Sequence, residues 1–354
     1  MGQRVVIEKL GEDPLSAIEQ HARLEPMAMP DPAGLGARDV VVEVKSAAVG
    51  WVDLIMASGQ YQHVPEPPYT PGLEYAGVVA AAGSDAGVAI GARVMVDPFL
   101  AGPRSSGAYR AYGGFASFAV APAEAVHAIP GELTFDQACN LLGNYETAYH
   151  CLVARGRLAA GETVLIHGAT GSVGLAAVHV AKLLGASVIA TGRSSDKLAV
   201  VQREGADHVI ALGAGAPLRD EVKRLTGGRG VDVVYDGVGG DISAESLRCV
   251  RFGARYLIVG WAATPFAARG KVAANQLPTN LIMMKGLDVL GCPTVISTVN
   301  DPSIRAARLH QVLAWAETGR LAPHVSHRFA LADFKAALLA KWRGEVIGGC
   351  VINP

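Results

Sequence analysis

From about residue 135 the chain alternates short apolar runs with stretches of helical spacing, and no other feature narrows its fold as much. "TVLIHG" (163–168) leads into "SVGLAAVHVAKLLG" (172–185), whose apolar residues recur at helical intervals and whose end carries Gly185. "SVIATG" (187–192) precedes a helical stretch from Asp196, and "DHVIAL" (207–212) precedes "PLRDEVKRLTGG". "VDVVYDGVG" (231–239) precedes another from Asp241, and "RYLIVG" (255–260) and "LDVLGC" (287–292) bring the strands to six. A strand followed by a helix crosses back to pair in parallel, with helices covering both faces of the sheet. The alternation predicts an α/β unit built on a six-stranded, doubly wound parallel sheet.

The first third obeys a different rule. "VVVEVKSAAVG" (40–50), "YAGVVAAAG" (75–83), "GARVMVDP" (91–98) and "GGFASFAVAP" (113–122) are short β-branched or alternating runs cut by Gly and Pro. Between the last two, "AGPRSSGAYRAYGG" (101–114) reads as a long polar loop over a surface. The tail "DPSIRAARLHQVLAWAETG" offers Asp301 as N-cap, Pro302 in the first turn and Gly319 past the end. A second helix, "DFKAALLAKWRG" (333–344), precedes a final strand "GCVINP". The simplest arrangement returns this tail to the amino-terminal β unit: residues 1–135 and 303–354 in one domain, 136–302 in the other.

Composition removes several classes. A chain of 354 residues buries a large core and favours two domains over one. Half its residues are hydrophobic and its formal net charge is −1, which argues against disorder and against a basic nucleic-acid surface. The longest apolar candidate span, Val173 to Ala190, carries His179, Lys182 and Gly185, so no membrane-spanning helix and no membrane partner are expected. "MGQRVVIEKL" lacks the apolar block of a signal peptide, and Val6 stands where a myristoylation motif wants Ser or Thr; a cytoplasmic protein is the expectation. The five cysteines are scattered without a CxxC pair, which disfavours a disulfide framework or zinc lobe and makes each a small buried apolar side chain.

The first strand–helix junction carries chemistry. Gly168, Gly171 and Gly174 are spaced G-x-x-G-x-x-G, with Ser172 and Val173 opening the helix. A pyrophosphate at a helix N-terminus meets free backbone N–H groups and the positive end of the helix dipole, and side chains there would block it. The bland reading is a tight turn with no ligand; its place at the head of a six-strand alternating unit favours a dinucleotide. An NAD site usually has Asp or Glu at the end of the second strand, on the ribose 2′-OH. Here Thr191, Gly192 and Arg193 occupy that end, and Arg193, Lys197, Ser194 and Ser195 suit a 2′-phosphate, so NADPH is the expected cofactor. The alternative makes Ser194 or Ser195 an N-cap and leaves Arg193 and Lys197 in solvent; Asp196 adds a like charge that weakens the phosphate case.

Four stretches together resemble the zinc-free, zeta-crystallin-like quinone oxidoreductase branch of the medium-chain dehydrogenase/reductase superfamily. They are "AAVGWVDLIMASGQY" (47–61), "PYTPGLEYAGVV" (68–79), "GNYETAYHCLVARGRLAAGETVLIHGATGSVGLAAVHVAKLLGA" (143–186) and "LPTNLIMMKGLDVLG" (277–291). The resemblance covers essentially the whole chain. It implies a GroES-like catalytic domain with an inserted Rossmann domain and a cleft between them. Zinc-dependent members carry Gly-His-Glu with a Cys upstream; this chain has Gly72-Leu73-Glu74, and Gly50 near the Cys position. Leucine and glycine offer no lone pair, so no metal is expected and Glu74 is read as a structural carboxylate.

Without a metal, the resemblance implies direct hydride delivery from NADPH to a conjugated acceptor. Tyr61 and Asp53 are the candidate catalytic residues. Tyr61 falls on a tyrosine seen in related quinone reductases, to line the acceptor site or donate a proton, or else is a half-buried aromatic closing a loop. Asp53 matches the acid of the family's N-x-x-D turn, a structural position there; its Asn is replaced by Gly50, and Trp51 is free to narrow the site. Asn144, Thr147, Val238, Gly239, Gly260 and Trp261 fall on segments that surround the nicotinamide in relatives. Where relatives often have Gly-Lys before the last strand, this chain has Cys350 after two glycines. The implied activity is quinone reduction, with enone or enoyl reduction as the rival and a non-catalytic NADPH-binding role, crystallin-like or vesicle-associated, as the alternative of another class. Relatives dimerise through the last Rossmann strand, so "GLDVLGCPTVIS" (286–297) implies a homodimer.

Overall fold

The computed structural model describes residues 2–105, 107–212, 217–264 and 276–354. The chain forms two compact units, Met1–Gly143 with Leu313–Pro354, and Asn144–Val312. The strands, in chain order, are β1 (Gly2–Ile7), β2 (Ala22–Met27), β3 (Asp39–Ala48), β4 (Glu74–Ala82), β5 (Arg93–Val96), β6 (Phe118–Pro122), β7 (Val126–Ala128), β8 (Thr163–Ile166), β9 (Ser187–Gly192), β10 (His208–Ala211), β11 (Val231–Asp236), β12 (Val250–Ile258), β13 (Asp288–Gly291), β14 (Val325–Ala330) and β15 (Gly349–Asn353).

In the first unit, a seven-stranded sheet runs β14-β15-β3-β4-β5-β7, with β6 also on β3. The first half of β3 alternates: Val40, Val42 and Val44 enter the main core, while Val41 turns to a smaller cluster with Ala81 and Val120; past a register shift after Val44, Ala47 also faces the main core. Along one edge of β3, β6 pairs with Asp39–Glu43 and β15 with Ala47 and Ala48. The chain's tail therefore completes the amino-terminal sheet, and the second unit is inserted.

The second unit holds six parallel strands in the order β10-β9-β8-β11-β12-β13. The order reverses between β8 and β11, the point of a doubly wound sheet where ligands bind beyond the strands' carboxyl ends. β11 is buried at all six positions because helices cover both sheet faces.

The divisions at Gly143/Asn144 and Val312/Leu313 fall later than the 135/136 and 302/303 read from the sequence. Side-chain bonds draw them there. Asp136 accepts from Arg328 Nε at 2.5 Å and Asn353 Nδ2 at 3.0 Å, within the first unit. Arg305 and Arg308 bind Glu146, within the second.

Several local expectations need correction. The described residues of the segment 101–114 form a loop whose first residue, Ala101, is fully buried in the main core, and Gly107–Ala111 forms a 3-10 turn. Tyr109 OH donates to Asp39 Oδ1 at 2.6 Å, and Gly114 N and Phe115 N donate to Gly72 O and Pro71 O. The apolar run 286–297 is strand only over Asp288–Gly291; Pro293 starts the helix Thr294–Asn300. Asp301 caps a 3-10 turn, Pro302–Ile304, ahead of the helix Arg305–Glu317. The β1–β2 hairpin, β14 and the helices Trp51–Ala57 and Leu142–Tyr149 were not read from the sequence. No helix among the described residues is long and apolar enough to cross a membrane.

Candidate active site

The turn after β8 is built for close approach. Gly168 sits at φ +64°, and Gly171 N donates back to Gly168 O at 2.9 Å before the helix Ser172–Leu183 begins. A Cβ on Gly174 would lie 2.3 Å from Gly168 O, so only glycine lets this helix sit on its turn. Gly171 differs. It is exposed at the N-cap with φ −79°, and a Cβ there would meet only Gly168 O, at an ordinary 3.4 Å. Gly237, just past β11, would meet nothing within 4 Å. The chain's own packing does not require glycine at these two positions. Ser172 and Val173 are half-buried in the first turn.

Beneath the turn lies a neutral polar chain that sequence reading missed. His167 is buried, with Nδ1 2.8 Å from Thr191 Oγ1 and Nε2 2.7 Å from Ser246 Oγ. Ser246 spends its proton on Ile242 O at 2.6 Å, so it accepts from His167 Nε2–H, and Nδ1 accepts from the Thr191 hydroxyl. Burial pushes the imidazole down to about 4. The one signal available in the sequence was a histidine ending an apolar strand.

At the end of β9, Thr191 is thus turned inward and Gly192 is buried, its absent Cβ 3.2 Å from Leu198 Cδ2. Arg193 is exposed and has no hydrogen bond or ion pair among the described residues. Ser194 caps the helix Ser195–Arg203, its Oγ accepting from Lys197 N at 3.5 Å. The N-cap reading of Ser194 holds, and no acid stands between Thr191 and Ser195.

At the end of β11, Asp236 organises the next turn. Its Oδ1 accepts from Val238 N and Gly239 N, both at 2.9 Å, and its Oδ2 from Ser243 Oγ at 2.5 Å and from Tyr256 OH. Gly260 N donates to Asp236 O at 3.2 Å, and Trp261 follows, 38% exposed. Asn144 and Thr147 lie one turn apart on Leu142–Tyr149, both half-buried. Between them Glu146, 1% exposed, accepts from Arg305 Nε and Nη2 at 3.0 and 2.7 Å and from Arg308 Nε at 2.8 Å. Those two arginines on one buried carboxylate fix how the helix presents its neighbours.

In the first unit, Glu74 opens β4, and its Oε1 accepts from Gly143 N at 2.6 Å. A carboxylate at a helix start is stabilised by the unpaired N–H groups there. Asp53 is buried in the first turn of Trp51–Ala57; Gly50 N donates to its Oδ2 at 2.9 Å, and Gly72 N and Leu73 N to its Oδ1 at 3.1 and 3.2 Å. Burial pushes this carboxyl up to about 6, against those three donors. It ties the helix start to the Gly72–Leu73 turn. Tyr61 is half-buried against the main core, edge-on to His63 at 6.0 Å, and no hydrogen bond joins it to Asp53 among the described residues. Trp51 stacks on Trp342 with centroids 5.3 Å apart. Leu73 and Cys350 are buried. Among the described residues no cluster of three or more His, Cys, Asp or Glu is gathered as for a metal.

Residues 36–131 match the alcohol dehydrogenase GroES-like domain family and residues 172–306 the zinc-binding dehydrogenase family. A quinone oxidoreductase-like protein 2 homolog of Nematostella vectensis is 32% identical over 321 residues, 90% of this chain and 82% of that protein. The crystal structure of a probable oxidoreductase from Mycobacterium abscessus superposes with a TM-score of 0.80 at 30% identity, over 100% of this chain and 99% of that one. The quinone oxidoreductase of Thermus thermophilus, whose complex with NADPH is known, superposes with a TM-score of 0.77 at 25% identity, over 99% of this chain and 100% of that one.

Proposed function

The chain belongs to the quinone oxidoreductase branch of the medium-chain dehydrogenase/reductase superfamily, and on that footing we propose that it is an NADPH-dependent reductase of quinones that works without zinc. The observation that carries this reading is the open helix N-terminus at Gly171, paired with an exposed cation, Arg193, unpaired among the described residues, where an NAD site keeps an acid.

The turn Gly168–Gly174, with the N–H groups of Ser172 and Val173, holds the pyrophosphate. Arg193 binds the 2′-phosphate with help from Gly192, Ser194 and Lys197. Asn144, Thr147, Val238, Gly239, Gly260 and Trp261 border the nicotinamide end. When bound, the reduced cofactor supplies a hydride to the electron-poor acceptor. Charge then develops on the acceptor oxygen, and Tyr61 is the group assigned to donate to it. Asp53 keeps the Gly50 and Gly72–Leu73 segments in register for that task. Leu73 and Gly50 offer no donor atom where zinc-dependent relatives have ligands, which supports metal-free chemistry.

The enzyme acts as a homodimer in this proposal. β13 is an edge strand, and Phe252 and Met283 nearby in the same unit are 75% and 74% exposed. A purely monomeric light-scattering profile counts against that part. The activity test is NADPH oxidation with an ortho-quinone against a crotonyl thioester, with metal analysis alongside. Quinone-dependent turnover without stoichiometric zinc is the expected result. Turnover with the thioester alone makes the protein an enoyl reductase, and no turnover with any of a broad acceptor panel leaves a binding role.

A further inference from the structure

Three helices border the cofactor site assigned above, and one chain of side chains joins them. Asn144 and Thr147 lie on Leu142–Tyr149, Gly171 opens Ser172–Leu183, and Ser194 caps Ser195–Arg203 next to Arg193. Tyr145, beside Asn144, is 3% exposed, and its hydroxyl lies 2.8 Å from His179 Nδ1. His179 Nε2 lies 3.1 Å from Glu204 Oε2, and Glu204 is the C-cap residue of Ser195–Arg203. A carboxylate only accepts, so in the neutral imidazole Nε2–H donates to Glu204 and Nδ1 accepts from the Tyr145 O–H. That is the one hydrogen bond of the Tyr145 hydroxyl among the described residues. The two rings stack with centroids 5.9 Å apart. His179 is about two turns past Ser172 and shares its face of the helix.

The ties differ in number. Lys182 Nζ, on the same helix as His179, also donates to Asp207 at 2.9 and 2.8 Å, so the link from this helix toward the end of Ser195–Arg203 is doubled. The link to Leu142–Tyr149 through Tyr145 is a single hydrogen bond. At the next position, about 100° round that short helix, Glu146 is held by Arg305 and Arg308.

On the reading that Asn144 and Thr147 border the nicotinamide, we propose that Tyr145, acting through His179, is a positioning residue for hydride transfer. Glu146 gives Leu142–Tyr149 one anchor, about which it can turn. Tyr145 adds a second on a different face and fixes the roll of this helix against Ser172–Leu183. The nicotinamide end is thereby placed relative to the pyrophosphate end. Glu204 orients the imidazole and keeps Nδ1 the accepting nitrogen. Burial pushes the proton affinity of the Tyr145 hydroxyl up, so it stays a donor.

Tyr145→Phe keeps the ring and removes the bond. With NADPH and an ortho-quinone, its kcat falls about 10- to 100-fold, the effect of a reacting centre misplaced by about 1 Å, while KM for NADPH stays within about threefold. Bound NADPH shows weaker nicotinamide emission than in wild type, whereas adenosine 2′,5′-bisphosphate binds both proteins equally. His179→Gln restores the chain, because its amide oxygen accepts from Tyr145 and its amide nitrogen donates to Glu204; rate and emission stay near wild type. His179→Leu makes neither bond and reproduces Tyr145→Phe. A merely structural role shifts thermal unfolding without separating kcat from KM. Wild-type kcat and emission in Tyr145→Phe overturn the proposal, as does an equal loss of affinity for NADPH and the bisphosphate. A wild-type chain that binds no NADPH overturns it together with the cofactor assignment, so the two failures are told apart. Should no acceptor turn over, emission decides; should Tyr145→Phe not fold, the contrast of His179→Gln with His179→Leu decides.

Discussion

Replacing Gly171 by Ala separates a glycine kept for a ligand from one kept for the fold. At the N-cap of Ser172–Leu183, with φ −79° and ψ 165°, alanine fits the backbone, and its Cβ meets only Gly168 O at 3.4 Å. Alanine is a poorer cap than glycine, a cost of about 0.5–1 kcal/mol, and the stiffer unfolded chain returns about 0.4–1 kcal/mol. The net change in unfolding free energy is within about 0.5 kcal/mol, or about 1–2 °C in Tm. The same methyl projects into the space where a pyrophosphate would approach the helix. Losing one charge-assisted backbone contact costs about 1.5–3 kcal/mol, a 10- to 150-fold rise in the NADPH Kd. Gly174→Ala is the contrast. Its Cβ would meet Gly168 O at 2.3 Å and Ala169 Cα at 2.9 Å, so it loses about 1–3 kcal/mol of stability whether or not cofactor is present. The measurements are thermal unfolding without ligand and NADPH titration by fluorescence. A Gly171→Ala protein that unfolds like wild type and binds NADPH equally well refutes the argument.

Arg193→Gln should weaken NADPH about 5- to 30-fold and leave NADH unchanged, the low end of the charge-assisted range because the site is exposed; equal losses for both nucleotides argue against a 2′-phosphate contact. Tyr61→Phe lowers kcat with the quinone if Tyr61 donates to the acceptor, and identical kinetics remove it from the mechanism. His167 has its folded value depressed to about 4 from 6.5, so the native state holds fewer protons than the unfolded state in that window. Stability from this site is present above pH 6.5 and is lost as pH falls toward 4, on the order of 3 kcal/mol at most; a His167→Gln protein with the same pH slope as wild type in urea titrations contradicts this. Glu74→Ala costs about 1–3 kcal/mol by stranding the Gly143 N–H, and Glu74→Gln, which keeps an acceptor, costs less; loss of activity in a stable Glu74→Gln protein speaks for a chemical role instead.

What the sequence disclosed follows from which forces are local. The six parallel strands were legible because each is a short apolar run bounded by Gly or by a helical period, and the tail's return because an isolated last strand needs an edge to pair with. The glycine turn was legible because its spacing is sequential. The short helix after Gly50 was not: "WVDLIMA" is equally apolar as a strand, and only the bonds from Gly50, Gly72 and Leu73 to Asp53 decide for helix. The last parallel strand, read as 287–292, is found at Asp288–Gly291, and beyond it Pro293 ends the ladder and leads into the helix Thr294–Asn300, which was not read although β-branched Val295 and Ile296 lie in it. His167, Ser246, Asp236 and Tyr256 are scattered along the chain, and nothing short of the folded sheet brings them together.

That buried chemistry also limits how nucleotide preference can be altered. Thr191 occupies the strand end where an NAD site places its acid, yet its hydroxyl proton is spent on His167 Nδ1. An aspartate at 191 would bring a charge against an imidazole already held neutral by burial, at the cost of a buried, poorly paired ion. At 192 a side chain would press on Leu198 and on Thr170 Cγ2, at 3.2 and 3.3 Å. Arg193 is the first residue past β9 whose side chain is free of the core, so a reversal of charge there is the change this backbone tolerates. Arg193→Asp should therefore raise the NADPH Kd more than Arg193→Gln does and tighten NADH, with unfolding unchanged. Thr191→Asp should lose stability before it gains any preference for NADH. If Thr191→Asp folds as well as wild type and binds NADH tightly, the strand end is not closed by His167 and the reasoning about the inward hydroxyl is wrong.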